Sequence, residues 1–197
     1  GVGLGIISAL KQGGWIDAVA MIIATGGISI PNFWFGLMAI LLFAVHLRWL
    51  PTSGQGEFRY LVMPAFTLGT ASAGVLARLT RSSLMETLGE DYIRTALSKG
   101  LSEAMVTWSH ALRNALIPVV TVIGIRFGAL LGGAVVTEAV FARRGIGSLT
   151  ITAITGRDFP LAQGIVLIAA VAYVTMNLLV DVLYGVIDPR IRSSRSS

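Results

Sequence analysis

Long apolar runs separated by short polar breaks make up most of this chain. Residues 1–10 are apolar and stop at Lys11 and a Gly13-Gly14 break. Residues 15–47 are apolar almost throughout, with interruptions at Gly26, Gly27 and Pro31. A straight helix over 17–47 would be about 45 Å long, well beyond a hydrocarbon core of roughly 30 Å. Each half has too few residues to cross alone. The pattern therefore predicts one crossing over 18–47, kinked near Pro31 and starting in the membrane interface. Trp15, Trp34 and Trp49 are its candidate interface anchors. Pro51, Ser53, Gly54 and Gly56 mark 48–60 as a loop. Further spans are expected over 61–79, 115–137 and 161–187. The first of these is rich in small residues and suits a position inside a bundle. The fold class expected is all-α: a polytopic bundle of transmembrane helices forming one domain over 1–197.

Residues 1–10 are too short to cross a bilayer, and they lack the basic start and small-residue cleavage site of a signal peptide. They are expected to be the end of a span that begins upstream, making the chain a fragment.

One stretch breaks the apolar pattern. Residues 78–118 hold Arg78, Arg81, Glu86, Glu90, Asp91, Arg94, Lys99, Glu103 and Arg113. Gly89-Glu90-Asp91 precedes a helical run over 92–98 that starts with carboxylates, as a helix N-terminus favours. Gly100 reads as a stop. Ser102-Glu103 opens a second run ending at Leu112, so two short helices around a glycine are expected. From pattern alone this island is either a solvated loop or a docking surface for a separate soluble protein.

Composition strengthens the membrane reading. Only 13% of residues are charged and mean hydropathy is +0.78, whereas soluble domains carry about 25% charged residues. The absence of cysteine removes disulfide frameworks, thiol catalysis and zinc-thiolate sites. The net charge of +5 does not point to nucleic acid, because the basic residues sit at the ends of apolar runs. Lys11, Arg78, Arg81, Arg94, Lys99, Arg113, Arg190, Arg192 and Arg195 fall on one side of the predicted membrane. Arg48, Arg59, Arg143, Arg144 and Arg157 fall on the other. The richer side is expected to be cytoplasmic, which places the island and the C-terminus there.

No phosphate-loop pattern surrounds Lys11 or Lys99, and His46 and His110 have no partner at ligand spacing. Neither an enzyme, a cofactor nor a metal site is expected. Two charges lie within spans. Arg126 is about 12 Å past Pro118, and Asp181 about 10 Å before Asp188, along their helices. Charges at such depth pair or face water. Asp181 is thus a candidate for an intramembrane pair. Arg126 is a candidate for such a pair or for the lining of a translocation path.

Several motifs, in order, resemble the membrane permeases of bacterial ABC importers, specifically the dipeptide/oligopeptide group. Ser29-Ile30-Pro31-Asn32-Phe33-Trp34-Phe35-Gly36 is similar to that group's S-I-P-x-F-W-x-G segment, and Trp49-Leu50-Pro51-Thr52-Ser53-Gly54 to its outer loop. Asp91-Tyr92-Ile93-Arg94-Thr95-Ala96 with Lys99-Gly100-Leu101 resembles its D-Y-[VI]-R-T-A-x-x-K-G-L signature, which His110-Ala111-Leu112-Arg113-Asn114 continues. Gly132-Gly133-Ala134-Val135-Val136-Thr137-Glu138, Gly145-Ile146-Gly147 and the closing Asp188-Pro189-Arg190-Ile191 also match. The resemblance implies a type I importer permease fold, here with about five of six spans. It also implies an inner-membrane location, a second homologous permease, two ATP-binding cassette ATPase subunits and a periplasmic substrate-binding protein. Asp91, Tyr92, Arg94, Thr95, Ala96, Lys99, Gly100 and Leu101 would form the coupling helix that sits in a cleft of an ATPase subunit.

Three positions depart from the wider superfamily. Arg94 stands where the E-A-A-x3-G motif has Glu, His110–Arg113 lack the later Ile and Pro, and Arg144 replaces a proline common before the glycine. A secondary transporter or channel is the rival reading, and it predicts ionisable relays and inverted repeats. Arg126 and Asp181 are thin support for a relay, and no internal repeat is visible. A membrane scaffold without transport is the other rival.

Overall fold

The computed structural model describes residues 1–187, with the side chains of 129, 131–133, 181 and 183–187 outside the description. The closing Asp188-Pro189-Arg190-Ile191 motif and the C-terminal basic residues lie outside it as well. The described residues form an all-α chain without a strand. Its helices are α1 (Val2–Leu10), α2 (Trp15–Ser29), α3 (Asn32–Ala39), α4 (Arg59–Leu88), α5 (Asp91–Ser98), α6 (Glu103–Met105), α7 (Leu112–Val140), α8 (Ile146–Thr155) and α9 (Phe159–Ile187). Two π-helical segments, Ile40–His46 and Val106–Ala111, extend α3 and lead into α7.

Three described helices are long and apolar enough to cross a membrane, or four if α2 and α3 count as one bent pair. Where the sequence predicts a kink at Pro31, the chain turns through 107° between α2 and α3. The cause is local. Pro31 has no N–H, and it sits extended (φ −60°, ψ 134°) as the N-cap of α3.

Contacts divide the chain into two compact units, described separately. The first comprises Gly1–Thr25, Ala73–Ile125 and α9 from Asn177. In it α1 lies against α4 along a seam of small residues. A Cβ at Gly5 would come within 2.5 Å of the Ala77 carbonyl oxygen, so only hydrogen fits there. Beyond the seam Ala9, Leu84, Ile93, Val106, Ala111 and Ala115 form one buried core, joining α1, α4, α5 and the start of α7. The Ser83 hydroxyl donates to the Ala115 carbonyl at 3.0 Å and ties α4 to α7.

The second unit comprises Gly26–Ser72 and Arg126–Met176. Ala39, Met63 and Phe141 are its buried core. Two polar devices shape its loops. Pro64 inside α4 cannot donate to the Tyr60 carbonyl one turn back. Arg143 takes that acceptor, donating from Nη1 to Tyr60 O at 3.0 Å and to Gly54 O at 3.2 Å. The other device involves Glu138, near the end of α7. It caps α8: the N-cap of that helix is Gly145, which has no side chain, and Glu138 Oε2 accepts the Ser148 N–H at 2.8 Å.

Many large apolar side chains point outward, including Ile22, Ile23, Ile125, Val166, Leu167, Val171 and Leu178, each more than half exposed. A water-soluble chain of this size would not carry so much exposed apolar surface. The described helices are those of a membrane-embedded protein.

Candidate functional site

The predicted signature lies on α5 and the turn after it. Glu90 is extended (φ −69°, ψ 148°) at the N-cap, and Asp91 lies in the first turn, where a carboxylate suits the partial positive charge of the N-terminus. The stop is a complete two-bond cap. Gly100 N–H donates to Leu97 O at 2.9 Å, and Leu101 N–H reaches back to Ala96 O at 3.4 Å. Gly100 makes this possible with φ +84°, a left-handed conformation that side chains disfavour. Ala96 and Leu101 both pack on the unit's core, completing the hydrophobic contact such caps carry. Lys99-Gly100-Leu101 therefore acts as a helix terminator.

The base of α5 is fixed and its outer face is open. Ile93 is 3% exposed, within the shared core. Asn114 Nδ2 of α7 donates to the Tyr92 hydroxyl at 2.8 Å. Asp91, Arg94, Thr95, Leu97, Ser98 and Lys99 are exposed. The structure thus brings the predicted residues together as one short helix, with Tyr92, Ile93, Ala96 and Leu101 holding it and the charged residues displayed.

The second run of the island differs from expectation. It does not end at Leu112: the helix continues without a break from Glu103 through Val106–Ala111 into α7. Ser102 starts it, its hydroxyl accepting the Met105 N–H at 3.3 Å. Nothing between Leu112 and Pro118 forces a stop, and Pro118 is carried within α7. The first part of the island likewise belongs to α4, which runs to Leu88. Only one free-standing short helix remains, and it is joined directly to two long ones.

Arg126 is half-buried on α7. Asp181 lies on α9, with its side chain outside the described residues, so the proposed intramembrane pair is not described.

Sequence reasoning missed a charged clasp in the same unit as α5. Asp17, at the start of α2, is 5% exposed. Arg81 of α4 grips it with two bonds, Nε to Oδ1 and Nη2 to Oδ2, each 2.7 Å. The Ser8 hydroxyl of α1 also donates to Oδ1, and Gly13 N–H donates to Oδ2 at 3.0 Å. Each carboxylate oxygen therefore holds two donors. A faint signal was available: Asp17 is the first acidic residue of the chain, with no other before Glu57. An isolated acid at the edge of an apolar helix needs a cationic partner, but sequence could not choose among the basic residues of the island.

Comparison with known proteins agrees with the motif reading. The family model described as "Binding-protein-dependent transport system inner membrane component" matches residues 1–193. The glutathione transport system permease protein GsiC of Pectobacterium atrosepticum is 46% identical over 192 residues, covering 98% of this chain and 63% of the relative. GsiC of Escherichia coli strain K12 aligns over the same length with the same identity, 46%. The di/tripeptide transport system permease protein DppB of Pseudomonas aeruginosa is 45% identical over 219 residues, covering 97% of this chain and 65% of the relative. The chain thus spans 63% to 65% of the length of these relatives. On the match over residues 1–193, the chain belongs to the family of binding-protein-dependent transport system inner membrane components.

Proposed function

We propose that this chain is permease sequence from a bacterial ABC importer of short peptides or closely related solutes, with α5 as the seat for an ATPase subunit. The carrying observation is the build of α5: a capped helix with an exposed charged face, whose buried face shares one core with α1, α4 and α7. A displacement applied to such a helix moves long helices rather than a loop. In this reading a second homologous permease completes the pore, two ATPase subunits bind the cytoplasmic side, and a periplasmic binding protein delivers substrate. The excess of Lys and Arg around the island supports a cytoplasmic position for α5. Transport proceeds by alternating access, with closure of the ATPase pair biasing one of two helix arrangements. Peptides are favoured because the relatives' names specify glutathione and di/tripeptides.

Gly100→Pro and Arg94→Ala test the coupling role. Proline cannot adopt φ +84° and removes the N–H that closes the cap, so the end of α5 should unravel. Arg94 is exposed, and its loss should leave the fold intact while weakening the docking face. Both variants are expected to lower uptake several-fold and to weaken stimulation of ATP hydrolysis by loaded binding protein. Normal uptake with normal stimulated hydrolysis in both would sink the assignment.

Arg126 fits a water-facing position on the translocation path better than a lipid-facing one, given its depth along α7 and the cost of an unpaired charge in hydrocarbon. Arg126→Leu is expected to reduce uptake while the assembled complex persists. Unchanged uptake would remove Arg126 from the path.

A further inference from the structure

The Asp17 clasp touches four parts of the chain: Ser8 on α1, Gly13 in the following turn, Asp17 on α2 and Arg81 on α4. Its neighbours lead straight to α5. Ser8 adjoins Ala9, and Arg81 lies one turn from Leu84. Ala9 and Leu84 share a buried core with Ile93 of α5. Along this route every link is a helix, a buried contact or a hydrogen bond.

The seam of small residues sets how closely α1 approaches α4, and the clasp adds a directional polar contact at its end. A two-pronged guanidinium–carboxylate bond defines an angle as well as a distance. It comes at the cost of burying the Asp17 carboxylate, while Arg81 stays partly exposed; apolar packing would avoid that cost. The arrangement therefore serves register, and the register it holds is that of the α1–α2 corner relative to α4.

We propose that Asp17 and Arg81 are positioning residues for coupling. They make the α1–α2 corner move as one piece with α4 and α5, so that displacement of α5 reaches α2, the helix preceding the 107° turn. The transport part of this inference rests on the importer reading; the mechanical part does not.

Spin labels at Gln12 in the α1–α2 corner and Glu86 on α4, both exposed and off the outer face of α5, measure the tie directly in the full-length permease assembled with its partners. Double electron–electron resonance should give one narrow distance distribution in the parent protein. D17A should broaden it and lower uptake per inserted permease several-fold. R81K, which keeps the charge but loses the fork, should fall between the two. An unchanged distribution in D17A overturns the tie. A broadened distribution with undiminished uptake overturns its role in coupling. Disappearance of both D17A and R81K from the membrane would show a folding role alone and overturn the proposal. If the parent permease brings down no ATPase subunit, the importer reading falls, while the distance distributions still decide whether the corner is tied.

Discussion

Valine at Gly5 is expected to deplete folded protein from the membrane, whereas valine at Gly3 should leave its level unchanged. The two substitutions make the same change in intrinsic helix propensity, so the difference between them isolates packing. A Cβ at Gly5 would lie 2.5 Å from the Ala77 carbonyl oxygen and 2.6 Å from Thr80 Cβ, while one at Gly3 meets nothing within 4 Å. The α4 backbone cannot yield as a flexible side chain would. The helices must separate, and Ser8, one turn beyond Gly5, is then pulled from Asp17. Overpacking of this kind costs about 1–3 kcal/mol, enough to change cellular abundance several-fold. The readout is membrane abundance and melting of the purified protein. Equal abundance and melting for the two variants would mean that α1 does not lie on α4 as described.

Phe141→Ala should be the most destabilising single truncation in the second unit. Phe141 is 1% exposed and packs with Ala39 and Met63. Removing a buried aromatic ring forfeits transfer energy and leaves a cavity, typically about 3–5 kcal/mol. For a chain of this size that corresponds to a melting temperature lower by roughly 6–20 °C. Phe141→Leu fills most of the volume and should cost much less. A drop under about 2 °C for the alanine variant would show that Phe141 is not a core residue. The position matters for function because Phe141 anchors the end of α7 just before Arg143 and α8.

Sequence and structure agree most where local chemistry decides. α5 was legible as a run over 92–98, one residue short of its observed start at Asp91, because its start carries carboxylates and its stop needs a glycine at positive φ. Helix limits were less legible where no local rule applies. Polar residues from Arg78 onward suggested that α4 leaves its helical span near position 79, yet it continues to Leu88. Charged side chains do not end a helix; they change what surrounds it. Equally, 103–112 read as a separate helix because its polarity differs from the apolar segment that follows, and helical hydrogen bonding ignores that boundary. That Glu138 caps α8 was not legible, because its bond from the Ser148 N–H depends on how the chain folds back through 141–148.

What the sequence determined by itself is the membrane class, the apolar helices and one short helix with its glycine terminator. These follow from hydrophobic runs, and from backbone geometry that few residue types can adopt. It also carried the family, through motifs spread along the chain. Tertiary structure alone decided which polar groups meet. Asp17 and Arg81 are 64 positions apart, and nothing local distinguishes Arg81 from Arg78 as the partner. Pro64 frees a carbonyl that Arg143 takes from more than seventy positions away. In both cases the energetic need is visible in the sequence as an acid or a carbonyl that cannot stay unpaired in an apolar setting. The partner is chosen by helix packing, which brings one of several eligible side chains within bonding distance.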